Sequence, residues 1–170
     1  MKPRTETGAT DKVKAAESPL SVTDRYSIFG ISEQNFAVEI KNIKEVVPLP
    51  KITKVPNVHK SILGVFNLRG KICSIIDIRV LLKIEQSPLS EENFIVLMEW
   101  EEFMFGIVVD RVLDVRNLDT SKIQVPTREL TLPYIQYLSG FYEHKEMGVI
   151  YLLDIPAIMQ SKEIIRYRYL

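Results

Sequence analysis

One cysteine, one tryptophan and two histidines are all that the 170 residues hold of several types recruited for redox, metal and proton-transfer chemistry. A single Cys73 forms no intramolecular disulfide, which fits a reducing compartment. It lies in an apolar segment, where a free cysteine packs as a small hydrophobe. His59 and His144 are far apart in sequence and each sits in a polar loop, so both read as solvated. The chain has no G-x-G-x-x-G, no phosphate loop and no close-spaced set of metal ligands, so no cofactor or metal is expected. It has no apolar run of about 18 residues or more, and its N-terminus lacks an apolar signal core. A cytoplasmic protein without direct membrane insertion is therefore expected. Lys+Arg and Asp+Glu number 22 each, and the zero net charge leaves no basic stripe for nucleic acid. Asp77, Asp110 and Asp154 fall at expected strand ends, where carboxylates cap or pair; Asp77 with Arg79 reads as a structural pair rather than a general base. Together these shortages argue against an enzyme.

What is present is apolar patterning in short pieces. Residues 1–22 are polar, carry Pro3, Gly8 and Pro19, and have no aromatic residue; they read as a flexible tail. Tyr26–Ile31 and Phe36–Ile40 read as strands around a turn at Ser32–Asn35. Lys41–Val47 suits either a strand or a short helical turn leading into one. Pro48, Pro50 and Pro56 interrupt regular structure, and Asn57 is placed to cap a short helix over 57–62. Ile62–Phe66 and Ile72–Ile78 read as a hairpin whose tip is Asn67-Leu68-Arg69-Gly70, with Asn67 and Gly70 supplying the turn chemistry. After a polar loop at 83–92, Asn93–Trp100 and Phe103–Val109 form another hairpin, and Tyr137–Tyr142 with Val149–Leu153 a third. Pro156–Ile164 reads as a short helix.

The two halves repeat. Phe36–Val46 lines up without gaps on Phe105–Val115; Leu63-Gly64-Val65-Phe66 echoes Ser139-Gly140-Phe141-Tyr142; Ile75-Ile76-Asp77-Ile78 echoes Leu152-Leu153-Asp154-Ile155. The blocks occur in the same order. Two modules of about five short strands each, curled towards barrels and packed on one another, follow. The expected layout is a tail over 1–22, a domain over 23–160 whose modules divide near 83–93 with the possibility of exchanged ends, and a helix end or tail over 161–170. The second module has Glu143-His144-Lys145-Glu146 where the first has its arginine tip, so the fold of a module does not require Arg69. Ile43 and Val46, with Val112 and Val115, suit an apolar trough or an inter-module core equally by pattern.

Gly64-Val65-Phe66-Asn67-Leu68-Arg69-Gly70, followed by Ile75-Ile76-Asp77-Ile78-Arg79, resembles the CheW-like family, the coupling proteins of bacterial chemosensory arrays. Phe36–Val46, Gly106–Asp110 and Tyr137–Gly140 continue the likeness, which runs from about Arg25 to Met159. The resemblance implies an all-β fold of two SH3-like five-stranded barrels around a shared core, with short helices and no catalysis. It implies a scaffold that joins the tips of methyl-accepting chemoreceptors to the regulatory domain of the histidine kinase CheA, in arrays at the inner membrane. An adaptor of a non-motility chemosensory-like pathway is the alternative. A receptor groove would be lined by Ile43, Val46, Leu68, Val112 and Val115, with Glu45 and Arg69 as its polar residues. Lys71 and Cys73-Ser74 depart from the family's usual apolar residues and proline.

Overall fold

Antiparallel hairpins joined end to end make up most of the computed structural model, which describes residues 23–127 and 129–167. The expected tail over 1–22 and the last three residues lie outside the described residues. Strand β1 (Thr23–Ile31) turns at Ser32–Glu33 into β2 (Gln34–Glu39). A 3-10 turn over Ile40–Asn42 then delivers the chain to β3 (Ile43–Pro48), so the ambiguous segment is both a helical turn and a strand. Next come β4 (Ile62–Leu68), β5 (Lys71–Ile76) and helix α1 (Ile78–Leu82). The second half holds β6 (Phe94–Trp100), β7 (Phe103–Val109), β8 (Arg111–Asp119), β9 (Leu138–His144) and β10 (Gly148–Leu153). Helices α2 (Ile155–Met159) and α3 (Lys162–Ile165) follow.

Three local expectations are corrected. The strand expected to reach Ile78 stops at Ile76, because the Asp77 carboxylate accepts from the Arg79 amide and starts α1. No helix follows Asn57, which adopts φ 59 in a turn; the left-handed region is incompatible with a helix N-cap. The helix expected over 156–164 is two, broken at Gln160–Ser161.

The strands form two five-stranded sheets, ordered β8-β1-β2-β10-β9 and β3-β6-β7-β5-β4. The loop 83–93 separates the two sequence repeats, yet the strands on either side of it, β5 and β6, lie in the same sheet. Each repeat keeps two strands at home and lends three to the other. The parallel pairs β2–β10 and β5–β7, with the antiparallel pairs β1–β8 and β3–β6, are the seams of this exchange. Equivalent places in the two repeats behave alike. Asp77 and Asp154 cap α1 and α2 with backbone angles of −89°, 94° and −88°, 94°.

Each sheet curls until the segment after its outer strand meets its far edge. Thr53 pairs with Val65 of β4, and Gln124 with Phe141 of β9, through reciprocal backbone bonds of 2.8 to 3.0 Å. This closure consumes the exposed edge of β4 and of β9. It also explains the repeated glycine. A Cβ on Gly64, which has φ 144, would sit 2.3 Å from the Thr53 carbonyl oxygen, and one on Gly140 2.5 Å from Ile123 Cγ2.

Three apolar clusters result. Ile28, Ala37, Leu118, Ile150 and Leu152 fill one barrel; Phe66, Cys73, Ile75, Ile95, Leu97 and Val108 fill the other. The third and largest lies between the sheets. It takes Phe29, Phe36 and Val38 from one, Val96, Phe105 and Ile107 from the other, and Ile78, Leu82, Ile155 and Ile158 from the helices. Central strands are thus buried on both faces, which is why β1 shows six successive buried residues and no alternation.

One buried ion pair braces the junction. Arg79, 2% exposed, meets Asp77 through Nε–Oδ1 and Nη2–Oδ2, both 2.9 Å. Its Nη1 donates to the Ser87 carbonyl, 3.1 Å, and to Ser87 Oγ, 3.2 Å, so it also fastens the inter-repeat loop. Asp110, where the chain leaves β7 for β8, accepts from the Ser32 amide and from Asn93 Nδ2.

Candidate functional site

Arg69 and Gly70 form a two-residue hairpin loop between the paired Leu68 and Lys71. Both have positive φ, 50° and 87°, as a loop that follows the twist of its strands requires. Gly70 takes this without strain; Arg69 does not, and Asn67 helps hold the turn by accepting from the Gly70 amide at 2.8 Å. The turn aims Arg69 across the mouth of its barrel to β3, where its Nη2 lies 3.2 Å from Glu45 Oε2. Leu68, Lys71 and Met104 complete a cavity of about 310 Å³ with Lys44 and Glu99. Lys44 is ion-paired to Glu99 at 2.5 Å, and that bond holds the Glu99 carboxyl below its ordinary range. The arrangement is an ion-laced rim around a small apolar floor.

Of the expected groove residues, the structure brings Glu45, Leu68 and Arg69 around one cavity, with Asn67 and Gly70 building the turn. Ile43 is set apart: it is half-buried and packs on the shared core. Val46 is exposed and alternates with Glu45 along β3. Val112 and Val115, 40% and 45% exposed, lie on β8, the edge strand of the other sheet.

The strands β3 and β8 are equivalent in the repeat, and each is bulged at the same place. Lys44 is skipped in the pairing of β3 with β6, and Leu113 in that of β8 with β1. The bulge turns out Lys44 in one barrel and an exposed Leu113 in the other. Sequence reasoning passed over Leu113, Lys44 and Glu99. The aligned repeat held the signal for the first two: a lysine facing a leucine in otherwise matched blocks. The Glu99 pairing is a cross-strand contact with no sequence mark.

Two five-stranded barrels sharing one core, one of them with an ion-clasped hairpin tip, define a class of small two-barrel β proteins. The chain matches the model of the CheW-like domain over residues 25–163. It belongs to the CheW-like family, whose members are non-catalytic scaffold proteins of chemotaxis, and it is not an enzyme. It is 31% identical over 144 residues to the chemotaxis protein CheW of Klebsiella aerogenes, covering 84% of this chain and 86% of that one. It is 26% identical over 125 residues to Protein PilI of Pseudomonas aeruginosa, covering 72% and 69%. The crystal structure of the scaffolding protein TtCheW from Thermoanaerobacter tengcongensis has the same fold, with a TM-score of 0.76 at 24% identity, covering 88% of this chain and 94% of that one. Among the described residues no helix is long and apolar enough to cross a membrane, and no group of three or more His, Cys, Asp or Glu is placed to hold a metal.

Proposed function

We propose that this chain couples the cytoplasmic tips of methyl-accepting chemoreceptors to the regulatory domain of the histidine kinase CheA, as a cytoplasmic component of receptor arrays. The observation that carries the reading is the Arg69 turn held to Glu45, with exposed valines on the edge strands β3 and β8. An arginine fork with apolar neighbours is the composition of an interface centre. A helical receptor hairpin would lay its apolar face on Val46, Val112 and Val115, with Arg69 as the polar anchor. Signal then passes through contacts, with no bond made or broken.

The test is capture of the purified chain by a receptor-tip hairpin and, separately, by the kinase regulatory domain. Arg69→Ala and Val115→Asp should each weaken at least one complex by about tenfold or more, with unchanged melting. Val115→Asp is preferred to a change at Ile43, whose side chain touches the core. Undiminished binding by both variants refutes the assignment. A second reading is an adaptor of a non-motility chemosensory-like pathway; one relative, Protein PilI, carries a name other than that of a chemotaxis protein. Co-purification from cells, with the receptors and kinase identified, separates the two.

A further inference from the structure

The second barrel has no arginine at its β9–β10 tip, and the repeat locates what replaces it. Asp114 on β8 stands where Glu45 stands on β3. Two residues further along β8, Arg116 places Nε 2.6 Å from Asp114 Oδ2, Nη1 3.1 Å from His144 Nε2 and Nη2 3.8 Å from Glu146 Oε2. One guanidinium therefore reaches from the strand to the hairpin tip, the reverse of the first barrel, where the tip reaches to the strand. His144 belongs to the tip's own turn: its Nδ1 accepts from the amides of Glu146 and Met147, each at 3.2 Å. Asp114 is fixed from a second side by the Val115 amide at 2.7 Å. The charged groups facing the tip are Arg116, Lys122, Glu143, Lys145 and Glu146, around a cavity of about 440 Å³. Lys122 is itself paired with Asp119 at 3.6 Å; with Nδ1 accepting from the turn amides the ring proton is on Nε2, so Arg116 lies against the ring edge and its charged partner on the tip is Glu146.

We propose that Arg116 is a positioning residue: it clasps the β9–β10 tip to β8 and so sets the exposed row Val112, Leu113 and Val115 for docking. The docking half rests on the coupling role proposed above. Asp114 and Val115 directly follow the Leu113 bulge, so a restraint on Asp114 is a restraint on the strand where that row stands out.

The experiment compares Arg116→Gln and Arg116→Lys with the parent chain. Hydrogen exchange of the free protein reads the clasp, and affinity for the receptor-tip hairpin reads the docking. In Arg116→Gln the Glu146 and Met147 amides should exchange about fivefold faster, the scale of a partly exposed ion pair, with strand amides at Ile28 and Leu152 unchanged. Affinity for the hairpin should fall about fivefold. Arg116→Lys, which can pair with Asp114 but lacks the fork, should restore part of the affinity and little of the Met147 protection. Exchange at Glu146 and Met147 equal to the parent overturns the clasp. Faster exchange with parent affinity overturns the docking half. If Val115→Asp also binds fully, it is the coupling role of β8 that fails, and the exchange result still decides the clasp by itself.

Discussion

Removing the positive partner of the Asp77–Arg79 pair should cost far more than removing both partners together. The Arg79 and Asp77 side chains are 2% and 4% exposed, and two parallel 2.9 Å bonds join them. The carboxylate holds the guanidinium above even its usual high range, chiefly through that hydrogen bond. Arg79→Leu keeps the apolar stem and strands a buried carboxylate. The expected loss is about 3–5 kcal/mol. For a chain of this size that lowers the melting temperature by about 6–20 °C. Asp77→Asn leaves the guanidinium only the longer Asp110 contact at 3.9 Å, at a smaller cost than the loss of Arg79, while an asparagine still caps α1. In the double variant the buried pair is gone and only the longer Arg79–Asp110 ion contact, 3.9 Å to a partly exposed carboxylate, is lost besides, so the two losses should fall short of their sum by about 2–3 kcal/mol. Urea unfolding of the four proteins at one pH gives the coupling energy. Single variants within about 1 kcal/mol of the parent, or a double variant whose loss equals the sum, would show that the pair is not what braces the junction.

Two further outcomes follow from packing and burial. Gly64→Ala should cost about 3 kcal/mol, since the new methyl meets the Thr53 carbonyl at a φ of 144°, whereas Gly140→Ala meets the Ile123 side chain first and should cost about 1–2 kcal/mol. Equal or reversed losses in denaturant midpoints would contradict this account of barrel closure. Burial among Phe36 and Tyr151 pushes the Tyr134 phenol up to about 12, while its hydroxyl donates to Gln34 Oε1. An unfolded tyrosine ionises near about 10, so stability is full below that pH and falls as pH rises towards 12. Unfolding midpoints between pH 9 and about 11 should drop less steeply for Tyr134→Phe than for the parent; identical slopes would sink the assignment.

The hairpins were legible because their signals are local. Alternation and β-branched runs give β2, β6 and β7, and Asn67 with Gly70 announces the tip of β4–β5. The repeat of Phe36–Val46 in Phe105–Val115 went further, since it matches two crossings between sheets and two bulged edge strands. The start of α1 was legible in principle from Asp77, but β-branched Ile75, Ile76 and Ile78 outweighed a single capping residue. Asn57 suited a cap and a left-handed turn equally by type, and it takes the turn. At the site, the Arg69 turn could be read, and the family resemblance named Glu45 as a polar residue near the groove but not as the partner of Arg69. What could not be read was that Ile43 is half given over to the core, or that Arg116 acts for the second tip. Both depend on which strands meet in space, and a sequence of matched blocks does not state that.

The lending of strands between the halves has a consequence for how the molecule is born. The β1–β2 hairpin leaves the ribosome before the other described strands, but its sheet neighbours β8 and β10 both belong to the second repeat. It must wait as a two-stranded ribbon, marginal by itself in water, while β3 to β7 are made and complete the other sheet. The middle of the chain is therefore able to close first, and the two ends are gathered onto it last. Once they are joined, neither barrel can open without taking strands from both repeats, so the two barrels share a single fate.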